Sequence, residues 1–302
     1  MSSALFQGLS QENTDPMLIS RSDPSTARTA VSPIAGQVSR GELFAALFTL
    51  GCVNGLASRI IQSVDRLGWA EALLSTFEIS VIVWLSCIVG ISIILRDRTS
   101  ELHSADFAVG AGFLFLVILP IGPLSWFAIT ALCLYILAST NDPSLRRGSV
   151  ILFATTVPML WSRMLFQLFA NTILQIDASL VSWLLGTHRV GSLVEFKDGS
   201  GLLVILPACS SLANVSLAFL CWVTVSQFVD HKKAAYDIFW CLMACASVVA
   251  VNVTRISLMG LNLAHYNGIH NHLGDAVANI IILSLTIGFC VLGVRRELFS
   301  HA

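Results

Sequence analysis

Eight stretches of nearly unbroken apolar sequence, parted by short polar segments, dominate the chain from residue 43 onward. A bilayer core about 30 Å thick is crossed by roughly 20 apolar helical residues. The pattern therefore predicts spanning helices over residues 43–60, 73–95, 107–121, 124–138, 150–169, 212–229, 238–259 and 276–294. The third and fourth are short and divided by Gly122-Pro123, so together they read as a tight hairpin, while Asn54 and Gly55 interrupt the first. Ahead of these blocks, Ser, Thr, Gln and Pro are abundant and no apolar run has the length a secretory signal needs, which predicts a disordered cytoplasmic tail over residues 1–40. The fold class is an all-α polytopic membrane protein, with one membrane domain over residues 41–296 and a short cytoplasmic tail over 297–302.

Lys and Arg in short loops orient such a bundle. Arg96 and Arg98, Arg146 and Arg147, Lys232 and Lys233, and Arg295 and Arg296 follow alternate spans, so all fall on one side, the cytoplasmic one. Arg28 and Arg40 place the N-terminus there too, with Arg59 and Arg66 as the exception on the far side. The outer face then receives the segment 170–208, the start of the sixth and eighth spans and the end of the seventh. Within that segment, residues 172–185 are apolar with few charges and predict an amphipathic helix lying in the interface. Residues 192–206 form two apolar strands around Asp198-Gly199, a strong turn dipeptide, and predict a short extracytoplasmic β-hairpin that delivers the chain to Pro207-Ala208-Cys209.

Composition agrees with a membrane protein: 55% of the 302 residues are hydrophobic and 12% charged, against about a quarter charged in soluble domains. Mean hydropathy is +0.79. A net charge of −1 gives no reason to expect a nucleic-acid partner. Of the 8 cysteines, Cys52, Cys87, Cys133, Cys221, Cys241, Cys245 and Cys290 lie inside apolar runs, where cysteine acts as a small hydrophobe. No CxxC pair or Cys/His cluster occurs, so neither a metal nor a cofactor is expected.

Cys209 is the exception, at a strand-to-helix turn beside the positive end of the sixth span, where thiolates are favoured. Ser210 and Ser211 suit the helix cap. Arg255 lies near the outer end of the seventh span, and a charge there usually pairs or works. Asn252, three residues earlier on the same face, is placed to orient the guanidinium or to bind substrate. His270, just before the eighth span, is the candidate base and acid, with His265 and His272 as competitors on spacing alone; Asp275 is placed to orient a histidine or, more readily, to cap the eighth span. A nucleophile, a fixed cation and a titratable imidazole on one membrane face point to acyl-transfer chemistry.

Ala208-Cys209-Ser210-Ser211-Leu212, Asn252-Val-Thr-Arg255 and His270-Asn-His-Leu-Gly274 resemble, in order and spacing, the Ala-Cys-Ser-Gly, Asn-x-x-Arg and His-x-x-x-Gly motifs of the exosortase/archaeosortase family, over roughly residues 40–296. Ser211 departs from the family's glycine. The resemblance favours His270 as the base and implies a membrane cysteine peptidase or transpeptidase in the bacterial inner membrane, its site facing the periplasm among membrane lipids. It also implies substrates: exported proteins whose C-terminus carries a short motif such as Pro-Glu-Pro, a transmembrane helix and a basic cluster, often linked to exopolysaccharide synthesis. Catalytic roles fall on Cys209, Arg255 and His270, with Asn252, Ser210 and His272 in support. Two other readings compete. One is a transporter, with Glu71, Glu78 and Arg163 lining a path, although no inverted repeat is apparent. The other is a non-catalytic subunit of a polysaccharide export system.

Overall fold

The computed structural model describes residues 38–300 apart from Thr99, Pro120 and 232–235, with the backbone alone for Ala208, His272 and 296–300. Residues 1–37 of the expected N-terminal tail, Lys232, Lys233 and the His272 side chain thus lie outside the described residues, while Ser39 caps and Arg40 opens the first helix. Helices are α1 (Arg40–Leu67), α2 (Trp69–Leu74), α3 (Val81–Ile94), α4 (Ser104–Ile118), α5 (Gly122–Ser139), α6 (Pro143–Thr156), α7 (Ser162–Leu185), α8 (Ser211–Phe228), α9 (Asp237–Met259), α10 (Leu263–Ile269) and α11 (His272–Ser300). Six helical stretches among the described residues are long and apolar enough to cross a membrane, while α3 and α4 are apolar but shorter. This is the architecture of a multi-pass, all-α membrane protein.

The residues that interrupt the first apolar block turn out to be packing devices. α1 runs straight through Asn54 and Gly55 because both are engaged by neighbours. Asn54 donates to the Val117 carbonyl and the Ser125 hydroxyl, each at 2.8 Å, so its amide is satisfied inside the bundle. Gly55 lets the Trp126 indole lie on the helix backbone, and Trp126 donates to the Gly55 carbonyl at 3.1 Å. The main core gathers Phe44, Phe48, Leu56, Ile94, Ile129, Leu132, Leu152 and Leu220 from α1, α3, α5, α6 and α8.

Polar pairs mark one end of this bundle. Arg40, buried at the start of α1, donates to Asp106 of α4 at 2.8 Å and to the Ser139 hydroxyl of α5 at 2.7 Å. Tyr135 donates to the same carboxylate at 2.7 Å. Arg147 of α6 donates to the Gln227 carbonyl at the end of α8.

Three expected boundaries change. The second block is broken: α2 and α3 are separated by Thr76, Phe77 and Glu78 at φ 53°, 56° and 54°, a left-handed run that no helix can continue through. Conversely, the fifth block and the expected interfacial helix are one continuous helical stretch, Pro143–Leu185. Pro158 sits in a π turn, Val157–Trp161, that joins α6 to α7, and Phe169 (φ −124°, ψ 22°) kinks α7 at the expected end of the fifth block, so the expected interfacial segment follows a kink and not a loop. Helix α11 also continues through residues 297–300, which had read as tail.

After α7, Gly186 closes the helix in the left-handed conformation. Strands β1 (Arg189–Val190), β2 (Leu193–Glu195) and β3 (Leu202–Val204) form an antiparallel sheet in sequence order, with Val194 opposite Leu203. β1 was not foreseen. Gly199 takes the positive φ that the β2–β3 turn requires, and hydrogen bonds from Ser200 hold the Asp198 carboxyl below its usual range.

Candidate functional site

A second, smaller core fixes the hairpin to the membrane helices. Val194, Phe196, Leu203 and Ile205 pack with Ala178, Val181 and Leu185 of α7 and with Val253 and Ile256 of α9. Alternation along β2 and β3 sends these residues to one face, so the sheet has a single way to sit. Lys197 locks it further. Its N–H donates to the Gly260 carbonyl at 2.9 Å and its ammonium to the Leu185 carbonyl at 2.7 Å, satisfying the ends of α9 and α7.

The chain leaves β3 into a single 3-10 turn, Pro207–Cys209, and α8 starts two residues beyond the cysteine. Ser210 is the N-cap, extended in backbone, its Oγ accepting from the Leu212 N–H at 3.3 Å. The next donor, the Ser211 N–H, goes to Asp177 Oδ2 at 3.1 Å, and the Ser211 hydroxyl donates to Asp177 Oδ1 at 2.9 Å. Asp177 is only 4% exposed and pairs with no cation among the described residues. Its negative charge instead faces the positive end of α8.

Asn252 completes the joint. Also 4% exposed, it donates through Nδ2 to the Cys209 carbonyl at 2.7 Å and to the Ser211 hydroxyl at 3.0 Å. Three helices therefore meet at the backbone around Cys209: α7 through Asp177, α8 through its own first turn, and α9 through Asn252. The thiol itself is free and half-buried, and its residue packs against the small core.

Arg255 lies one turn beyond Asn252 on the same helical face. Its Nη1 donates to Asp275 Oδ1 of α11 at 2.9 Å, so Asp275 pairs across helices. The Arg255 Nε–H is buried and has no hydrogen-bond partner among the described residues. Leaving such a donor unpaired costs about 1–3 kcal/mol, which makes it a place where an incoming acceptor gains the most.

His270 ends α10, is exposed, and stacks on Tyr266 with ring centroids 5.0 Å apart. Tyr266 packs against the same small core as Cys209, which brings the histidine turn to the cysteine side of the fold. Gly274 is required here: a Cβ would strike the Ile269 backbone, so only glycine lets α11 begin this close to the end of α10. His265 is exposed and tied to Asn262 at 2.9 Å. Cys209 and Asn252 are thus in direct contact, Arg255 is one turn away, and His270 is linked through Tyr266. Among the described residues no hydrogen bond joins the thiol, guanidinium and imidazole to one another.

Two cavities flank this joint. One of about 360 Å³ is bounded by Pro207, Ser210, Leu212 and, from α7, Ser162, Arg163 and Gln167. A larger apolar groove of about 900 Å³ runs between α7, α8 and α9 and shares Ser162 and Leu212 with it.

Sequence reasoning missed Asp177. The available signal was that it is the sole charge in the apolar run 172–185. Asp177→Ala should leave the Ser211 N–H and hydroxyl without their acceptor, lowering stability by about 2–4 kcal/mol. Thermal unfolding in detergent checks this, and a wild-type midpoint would contradict it. Neither a protein-family model, a curated protein nor a solved structure matches the chain.

Proposed function

We propose that this protein is an exosortase-like membrane cysteine peptidase or transpeptidase that cuts C-terminal sorting signals from exported proteins at the periplasmic face of the bacterial inner membrane. The observation that supports it best is the joint at α8: the Cys209 carbonyl is held by Asn252, while one turn along the same helix Arg255 carries a buried, unpaired N–H. In this reading α3 and α4 also cross the bilayer, giving eight passes with Arg96, Arg98, Arg146, Arg147 and Arg295 on the cytoplasmic side.

Cys209 Sγ, as thiolate, attacks the scissile carbonyl carbon, and the developing oxyanion is met by the Arg255 guanidinium. His270 accepts the thiol proton and returns it to the leaving amine as the C–N bond breaks, leaving a thioester on Cys209. Water or another nucleophile then resolves the thioester and frees the sulfur. The substrate's transmembrane helix lies in the apolar groove between α7, α8 and α9, because that groove continues through Ser162 and Leu212 into the cavity at Pro207 and Ser210. Ser211, which stands where the family has glycine, is absorbed by Asp177 and Asn252 and acts in the scaffold.

Single alanine substitutions at the three histidines test the proton-transfer role. His270→Ala should lower substrate processing by about 100-fold or more, the scale of general acid–base catalysis, while His265→Ala and His272→Ala stay within a few-fold of wild type. Full processing in His270→Ala would remove it from the mechanism.

A further inference from the structure

Three arginines gather at another cavity, and one of them, Arg163, also lines the cavity at Pro207 and Ser210. Arg59 and Arg66 of α1 and Arg163 of α7 converge on a cavity of about 420 Å³, completed by Ser58, Gln62 and Glu78. Among the described residues Glu78 is the only carboxylate in its wall, and it is paired with Arg66. Arg59 and Arg163 have no ion-pair partner among the described residues. The left-handed run at Thr76–Glu78 brings Phe77 and Glu78 into this wall, a backbone arrangement that costs energy and is held by Thr76 Oγ1 donating to the Ile79 carbonyl at 2.7 Å.

The basic cavity does not stand alone. An adjoining crevice of about 360 Å³ shares Ser58, Arg59 and Arg163 with it, and its other walls are largely apolar, including Trp126, Phe127, Met159 and Leu160. Guanidinium forks match phosphate oxygens in geometry and charge, and apolar walls beside them match hydrocarbon. A free anion would have no use for the crevice, and a neutral lipid none for the arginines.

We propose that these joined cavities bind a lipid with a phosphate headgroup, the phosphate held by Arg59 and Arg163 and the start of its chain lying against Trp126 and Leu160. The inference does not depend on the peptidase reading. Arg66 is kept off the phosphate by Glu78, which limits the affinity.

The test is native mass spectrometry of the full-length protein in detergent, titrated with phosphatidic acid or with diacylglycerol of matched chains, with inorganic phosphate as competitor. Wild type should retain phosphatidic acid at least tenfold better than diacylglycerol, and inorganic phosphate at equal concentration should not displace it. The Arg59→Gln/Arg163→Gln double variant should lose that preference, and Glu78→Gln, which frees Arg66, should strengthen retention several-fold. Equal retention of the two lipids, or an unchanged preference in the double variant, overturns the proposal. Displacement by inorganic phosphate overturns the lipid as occupant. Should the double variant fail to fold, unchanged or weaker retention in Glu78→Gln still overturns it.

Discussion

Under the proposed peptidase function, Cys209→Ala is expected to reach the membrane in wild-type amounts and to leave exported proteins' C-terminal helices and basic tails uncut. The two halves of this result have separate causes. The fold uses Cys209 through its carbonyl, which alanine retains, so the Asn252 clamp survives. Only the half-buried sulfur is lost, a packing change of about 1 kcal/mol. Chemistry, in contrast, loses the atom that would carry the thioester. Removing a nucleophile that acts as a unit with its base and oxyanion donor typically costs a factor of about 10⁴ or more. Peptide mass spectrometry of membranes from cells carrying the variant reads both halves at once, and processing at the wild-type rate would end the peptidase reading.

Arg255→Lys is expected to be nearly as damaging, although it keeps the charge. A lysine ammonium can still meet Asp275, so the contact between α9 and α11 is largely conserved. What it cannot do is hold Asp275 through one nitrogen while offering a second N–H, the buried Nε–H, to an acceptor in a fixed plane. Loss of one such donor to an oxyanion costs about 10²–10³ in rate. The measurement is processing of a substrate in matched membranes, alongside thermal unfolding to show that the fold persists. A rate within a few-fold of wild type would confine Arg255 to a structural pairing with Asp275.

Much of the bundle is legible in the sequence because hydrocarbon thickness and apolar run length are directly comparable, and the hairpin because Asp198-Gly199 supplies its turn. The breaks and joins were less visible. Nothing in Ser75-Thr76-Phe77-Glu78 announces three left-handed residues, which are set by what packs around them. Likewise Pro158 joins α6 to α7 instead of ending the helix, because the backbone relaxes into a π turn and continues, while Phe169 kinks α7 further on.

At the site, Asn252 and Arg255 were readable as one helical face, since spacing of three residues is a local property. Asp177 was not, because its role exists only where α7 meets the first turn of α8, 34 residues along the chain. Asp275 was read as a cap and instead answers Arg255, again a tertiary choice. The same distinction holds for Arg59, Arg66 and Arg163. Sequence showed the first two as charges on the wrong side of the membrane, and only the fold brings all three to one cavity.

The central claim is that the Cys209 sulfur is both reactive and reachable from outside the cell membrane. Treating intact spheroplasts with a membrane-impermeant maleimide, then mapping modified cysteines by peptide mass and scoring substrate processing in the same sample, addresses both properties. Cys209 should be modified from outside, with processing falling in proportion to the fraction modified. Modification only from the cytoplasmic side, or full modification with processing intact, contradicts the claim.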